Sequence, residues 1–175
     1  MKKSVLIAMV FFIATTTAYT QKKNGTIYKE HPAIAIVEAM QQAFIVGDVD
    51  LLSSYLADDF KEWNGLSTNR NAKGTDKEQF LENATWWSKN ISYLSIKRQG
   101  QAYPDAIKYK DDEDGLWVQT WDILKGVHAK TGSKINMPIH RLFGVDENNK
   151  ITTMISYYNE EVFADIGRSF DVRKN

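Results

Sequence analysis

The feature that most constrains the fold is a series of three strand-like segments in the carboxy-terminal half of the chain. They cover Leu116–Lys130, Lys134–Val145 and Ile151–Phe163. Turn residues separate them, Lys-Thr-Gly at 130–132 and Asp-Glu-Asn-Asn at 146–149. Antiparallel strands can be joined by short turns, whereas parallel strands need long crossover connections. The segments therefore predict an antiparallel sheet.

Helical segments precede these strands. Apolar residues recur at helical spacing in His31–Gly47. A short helix is predicted for Val49–Leu56 with Asp48 as its N-cap, and a third for Asp76–Lys89 with Thr75 as its N-cap. Shorter strands are predicted at Phe60–Asn64, Ile91–Arg98 and Ala106–Lys110. This order predicts an α+β fold in which a curved, mostly antiparallel sheet wraps around three amino-terminal helices.

The apolar positions of these segments predict the core. We expect the space between helices and sheet to be filled by Leu51, Phe80, Ile123, Phe143 and Ile155. Gly126 lies inside the first long strand. A glycine in a strand interior often marks a bend or bulge, which a sheet needs in order to curl.

The first residues have the layout of a secretory signal peptide. Lys2 and Lys3 precede the apolar run Val5–Ala14, and small or hydroxylic residues follow. Ten apolar residues cannot span the ~30 Å hydrocarbon layer as a helix. The chain is therefore predicted to divide into a signal peptide at 1–20, one domain at 21–165 and a tail at 166–175. Because there is no cysteine for lipid attachment or disulfides, we expect a secreted or periplasmic protein that leaves the membrane after cleavage.

Composition and spacing exclude several other classes of site. The 22 basic and 22 acidic residues balance, so nothing indicates a nucleic-acid partner. The three histidines, His31, His128 and His140, form no short-spaced pair, and no metal site is predicted. No glycine-rich phosphate loop opens a helix, and no cofactor is expected.

Three local motifs resemble a known superfamily. They are Phe44–Phe60 (FIVGDVDLLSSYLADDF), Gly126-Val127-His128, and the segment from Asn149-Lys150-Ile151 to Tyr157-Tyr158-Asn159. In this order they resemble the SnoaL-like branch of the nuclear-transport-factor-2-like (NTF2-like) superfamily. The resemblance implies a conical half-barrel closed by helices, with a pocket at its open end. Isomerases, dehydratases, polyketide cyclases and catalytically silent binding modules share this fold, so it does not fix the function.

The resemblance also implies where an acid–base residue would stand. The position of the general base in ketosteroid-isomerase-like members is Asn64 here, and the corresponding position in SnoaL-like cyclases is Asn159. An amide cannot accept and return a proton at neutral pH. A small shift in the alignment would instead place the carboxylate at Glu62 or Glu160.

Asp122 is the most unusual acid because it lies in the middle of an apolar strand. If its side chain faces the cone, it needs a partner, which His140 or Arg141 on the next strand could provide. Asp122 with His140 would be a candidate catalytic pair. In the alternative, Asp122 and Arg141 form an exposed cross-strand pair. The register across the turn decides between them.

Five tryptophans suggest an aromatic pocket, although core packing alone would account for several of them. The candidate ligand-binding residues are Trp63, Asn64, Trp87, Trp121, Tyr157 and Asn159. The leading hypothesis is an exported pocket domain that binds a small apolar or aromatic molecule without catalysis. One alternative is an acid–base enzyme of isomerase, dehydratase or cyclase type that uses Asp122 and His140. Another is a protein-interaction module. A homodimer through the convex sheet face, with Trp117 or Tyr158 in contact, is also expected.

Overall fold

The computed structural model describes residues 24–69, 71–110 and 115–159. The predicted signal peptide, the carboxy-terminal tail and Glu160 lie outside these ranges. Within them, no helix has both the length and the apolar character needed to cross a membrane.

Three helices occur in the described part of the chain: α1 (Pro32–Val46), α2 (Val49–Tyr55) and α3 (Lys77–Asn90). The predicted N-cap Asp48 accepts a hydrogen bond from the Leu51 N–H at 3.0 Å. The N-cap of α3 is Asp76, not Thr75 as predicted, and it accepts from the Gln79 N–H at 3.0 Å. Both Thr75 and Asp76 pair with β2, and the cap falls on Asp76 because the helix begins at Lys77.

The described strands form one curved sheet. They are β1 (Gly25–Tyr28), β2 (Leu56–Asn64), β3 (Thr75–Asp76), β4 (Ile91–Arg98), β5 (Asp105–Tyr109), β6 (Leu116–His128), β7 (Lys134–Val145) and β8 (Ile151–Tyr157). Their order is β1-β5-β6-β7-β8-β2-β3, and β4 also pairs with β6. All pairs are antiparallel except β2 with β8, which is parallel. The predicted α+β cone with a mostly antiparallel sheet is confirmed.

One edge of β6 is shared by two strands. β5 pairs with Leu116–Gln119, and β4 pairs with Asp122–His128. Between them, Thr120 and Trp121 have no strand neighbour on that edge. The Gln99 N–H from the loop after β4 donates to the Trp121 carbonyl at 2.9 Å. The wall of the cone therefore has a short gap at Thr120 and Trp121.

The expected irregularity near Gly126 lies on the neighbouring strand. The β4–β6 register shifts between Ser92 and Ser95, where Tyr93 adopts a φ of 56°. A Cβ on Gly126 would lie 2.4 Å from Cγ2 of Ile91. Glycine is thus needed at this position because the two strands approach closely, and the bulge belongs to β4.

The core lies between the helices and the inner face of the sheet, and the prediction of its members was right in part. Phe80 and Phe143 are buried. Ile123 and Ile155 are only half-buried, because alternation along their strands points them to the outer face. Leu51 is exposed, since α2 presents Leu52 to the core instead.

This alternation predicts different stabilities for two adjacent substitutions in β8. Met154 is buried in the core, whereas Ile155 lies on the outer face. We expect Met154→Ala to lower the free energy of unfolding by about 2–5 kcal/mol, as in other packed cores. Ile155→Ala should cost clearly less. Urea denaturation of both variants checks this, and equal losses would contradict the register of β8.

Candidate functional site

The main cavity lies inside the cone and has a volume of about 200 Å³. Its wall is mostly apolar and includes Met40, Phe44, Phe80, Trp87, Leu124 and Ile139. Three polar side chains on the strands, those of Glu62, Arg141 and Ser156, also line the cavity, and further polar groups lie at its rim. An apolar cavity with a few convergent polar groups is the usual form of a small-molecule site.

Glu62 is the acidic residue in the wall of the main cavity. It lies on β2, opposite Met154 of β8 and Thr75 of β3. Burial raises the pKa of Glu62 from the ordinary value of 4.5 to about 7, although the positive charge of Arg141 opposes the rise. None of the described residues donates a hydrogen bond to its carboxyl group. At neutral pH this group therefore exchanges readily between its acidic and basic forms.

Arg141 and Asp122 form a buried ion pair beside Glu62. Arg141 Nη2 donates to Asp122 Oδ2 at 3.0 Å, and both residues are about 7% exposed. Gln41 Nε2 lies 3.4 Å from the same oxygen. Burial lowers the pKa of Arg141, and the adjacent Asp122 and Glu62 carboxylates act in the opposite direction. Removing either partner would leave the other charge buried and unpaired, at a cost of about 3–5 kcal/mol.

Arg141 also has an unused hydrogen-bond donor. Among the described residues, its buried Nε has no hydrogen-bond partner. Glu62, Arg141 and Asp122 thus place an acid, a cation and a second acid side by side. Such a set can move a proton and stabilise a negative charge that develops nearby.

The expected pair of Asp122 with His140 does not form. In the register of β6 with β7, Asp122 lies opposite Ile139, and His140 lies opposite Trp121. Successive side chains alternate between faces. Asp122 therefore points into the cone, and His140 points to the outer face. The predicted partner Arg141 is present, but the pair is buried and not exposed as the alternative supposed.

His140 belongs to an aromatic stack on the outer face. Its ring stacks on Trp121 with centroids 4.9 Å apart and on Tyr157 at 5.8 Å. Burial lowers the pKa of His140. Neither Trp121 nor Tyr157 lines the main cavity, because each lies at an outward position of its strand.

The other predicted ligand-binding residues are dispersed. Trp87 lies in the cavity wall. Asn64 is turned into the loop after β2, where its Oδ1 accepts from the Leu66 N–H at 2.8 Å. The Trp63 ring lies against Gly74, and Asn159 is exposed. Only Trp87 of the predicted six reaches the main cavity.

Sequence reasoning missed several residues of this site. Gln41 and Ser156 were not predicted, and Glu62 entered only as an alternative. Tyr158, expected on the convex face, lines the cavity. For Glu62 the signal was present, since it lies two residues after the buried Phe60 and hence on the same face of β2.

Nothing in the described ranges indicates a metal centre. No three His, Asp or Glu side chains converge there closely enough to hold a metal ion. The expectation of a site without metal or cofactor stays a prediction.

Comparison with known proteins identifies the fold. No protein-family model and no curated protein matches the chain. Among solved structures, the BvnE pinacolase from Penicillium brevicompactum aligns with a TM-score of 0.62 at 8% identity, covering 82% of this chain and 96% of its own. An M. tuberculosis LEH-like epoxide hydrolase aligns with a TM-score of 0.52 at 20% identity, covering 73% and 82%.

A third neighbour was solved with a ligand. It is a Catenulispora acidiphila protein with a ketosteroid isomerase-like fold in complex with trimethylamine, with a TM-score of 0.52 and 18% identity, covering 71% of this chain and 85% of its own. Identities this low establish the fold and leave the chemistry open. The predicted resemblance is confirmed at that level.

The raised pKa of Glu62 predicts that stability depends on pH. The folded carboxyl group holds its proton more tightly than the unfolded one, so its contribution is complete below about pH 4.5 and is lost as pH rises to about 7. The difference corresponds to roughly 3 kcal/mol. Urea titrations across this range should show the decrease in the wild type and not in Glu62→Gln.

The exposed Glu78 of α3 provides the matched control. Glu78→Gln should keep the decrease in stability, because its carboxyl group is solvated in both states. A wild-type stability that is flat from pH 4.5 to 7 would contradict the raised pKa of the half-buried Glu62.

Proposed function

We propose that this chain, which has the NTF2-like fold, is an acid–base catalyst for a small, largely apolar molecule held in the main cavity. The observation that supports this most directly is Glu62, a carboxyl group with a pKa of about 7 beside Arg141 in an apolar wall. A general acid or base works best when its pKa lies near the working pH. Perturbed acids in clefts are characteristic of functional sites.

Glu62 and Arg141 have different roles in the proposed reaction. Ionised Glu62 removes a proton from the substrate, and the electron pair moves onto a substrate oxygen. Arg141 stabilises the negative charge on that oxygen and offers its Nε–H as a donor. Glu62 then returns the proton to the substrate, so that it ends in its starting form. Asp122 holds the guanidinium group in place, and Gln41 donates to the same Asp122 oxygen.

The size of the main cavity limits the substrate. Its volume of about 200 Å³ is somewhat larger than an engineered apolar cavity of ~150 Å³ that binds benzene. It is below the ~300–1,000 Å³ of sites for drug-sized ligands. A compact molecule with one oxygen function, such as an apolar ketone or epoxide, fits these limits.

Binding without catalysis was the leading hypothesis from the sequence because Asn64 and Asn159 stand at the two expected base positions. Neither residue lines the main cavity. Their amides therefore give no argument against catalysis once Glu62 is considered. The enzymatic alternative drawn from the sequence depended on a pairing of Asp122 with His140. These two residues do not pair in the structure.

Catalysis by Glu62 is tested with a panel of small apolar ketones and epoxides. For a substrate that is turned over, Glu62→Gln should lower kcat by about 10²–10⁴-fold, the usual contribution of a general base. Binding and fold should be retained. The wild-type kcat/KM should rise with pH through about 7, because the base must be ionised.

The control variant is Glu78→Gln, which makes the same chemical change on the exposed surface of α3. It should leave turnover unchanged. Turnover that survives Glu62→Gln would refute the assignment. Tight binding of panel members with no turnover of any would support the binding module instead.

We further propose that the outer face of the sheet pairs two copies of the chain. Large side chains, among them Trp117, Trp121, Ile123 and Ile155, are half-exposed on this face. The three described helices pack on the opposite, inner face. Aromatic and apolar area of this kind is enriched in the centre of protein interfaces.

Sedimentation velocity at high micromolar concentration tests the dimer. The wild type should sediment as a dimer and Trp117→Arg as a monomer. Tyr93→Arg, at an 87% exposed position on β4, is the control and should remain dimeric. A wild type that is only monomeric under these conditions would rule out the pairing.

A further inference from the structure

A second cavity, here called the lateral cavity, lies at the gap in the sheet between β4 and β5. It has a volume of about 450 Å³, and its lining includes Gln41, Thr120 and Asp122 together with Ile96 and Ala39. Gln41 and Ile96 also line the main cavity. A single layer of side chains, closed by the Gln41–Asp122 contact, therefore separates the two cavities.

The inner end of the lateral cavity is polar and incompletely bonded. Thr120, Asp122 and Gln41 are each less than a tenth exposed. The Thr120 hydroxyl has no hydrogen-bond partner among the described residues. A buried hydroxyl without a partner costs about 1–3 kcal/mol. A polar cavity with room for a water molecule normally holds one, since water can satisfy such groups.

Exposed side chains line the outer end. Arg98 Nη2 lies 3.8 Å from Glu38 Oε1, with both side chains about half exposed. The Arg98 guanidinium also lies 4.6 Å from the centre of the Tyr103 ring. Exposed pairs of this kind contribute little to stability. Solvent therefore has access to this end of the cavity.

The charges around the lateral cavity balance in pairs. Glu38 faces Arg98 at the outer end, and Asp122 faces Arg141 at the inner end. No net charge is left to select an ion. Thr120 supplies a hydroxyl that both donates and accepts, and Asp122 accepts. These groups suit a small neutral molecule that also donates and accepts, which is water.

We propose that the lateral cavity is a water site that admits solvent to Thr120 and Asp122 through the wall of the cone, while the apolar substrate occupies the main cavity. The site itself rests on the geometry of the gap. Its use in exchanging protons with solvent during catalysis rests on the function proposed above. The two routes keep water and an apolar substrate from competing for one entrance.

Blocking variants test the route in the full chain. Ala39 lines the lateral cavity and does not line the main cavity. The substitution Ala39→Phe should therefore fill the lateral cavity. Ala35→Phe, at an exposed position on the same helix, is the matched control. Asn83→Phe narrows the main cavity from its exposed rim. The measured quantity is the exchange of the Thr120 hydroxyl proton with water by NMR, because Thr120 lines the lateral cavity and not the main cavity.

We expect Ala39→Phe to slow the exchange of the Thr120 hydroxyl proton by at least about tenfold, because opening of the protein then limits access. Ala35→Phe and Asn83→Phe should leave this rate unchanged. Equal rates in all three variants, or slowing by Asn83→Phe alone, would overturn the lateral route.

A second variant keeps the test decisive if Ala39→Phe does not fold. Thr120→Val removes the hydroxyl with little change in volume. A crystal structure of the wild type should show an ordered water within hydrogen-bond distance of Thr120 Oγ1 and Asp122, and the valine variant should lack it. A dry lateral cavity in the wild type would overturn the proposal. Because none of these measurements uses a substrate, failure of the catalytic assignment at Glu62 would be recognised separately.

Discussion

The burial of one positive charge determines much of this structure. Arg141 lies inside the cone, where an unpaired guanidinium would be strongly unfavourable, and Asp122 forms an ion pair with it there. A slip of one residue between β6 and β7 would turn one member of the pair to the outer face. The ion pair therefore favours a single register for the two longest strands. That register also decides which side chains line the main cavity and which form the Trp121–His140–Tyr157 stack.

Much of the fold could be predicted from the sequence because its patterns are local. The bounds of β4 and β7 and the N-cap Asp48 agree with the structure, since alternation, turn residues and capping chemistry act over a few residues. β1 was not predicted, because Gly25–Tyr28 is exposed throughout and shows no alternation. The sequence offered His140 and Arg141 as partners of Asp122 and could not decide between them, because the register across the β6–β7 turn depends on the packing of the whole sheet.

The candidate site was harder to predict than the fold for a related reason. Counting residues from a motif assigned the base position to Asn64, whereas the side chain of Asn64 bonds the backbone of the next loop. Glu62 becomes the acid of the site because β2 lies parallel to β8 and both line the cone. The spacing of Glu62 from Phe60 indicates its face of β2, but the pairing of β2 with β8 joins distant segments and cannot be read from either one alone. The fold that this chain shares with remote structures does not identify the chemistry of its site.

The parallel pairing of β2 with β8 has a consequence for the order of folding. Glu62 lies beside Met154, which is far away along the chain and near the end of the described sheet. Contacts between distant segments require closure of a long loop, and they slow the folding of a domain. The acidic group acquires its enclosed environment only when the last described strand docks. While β8 is still inside the ribosome, the nascent chain therefore carries an ordinary, solvated Glu62 whose pKa is not yet raised.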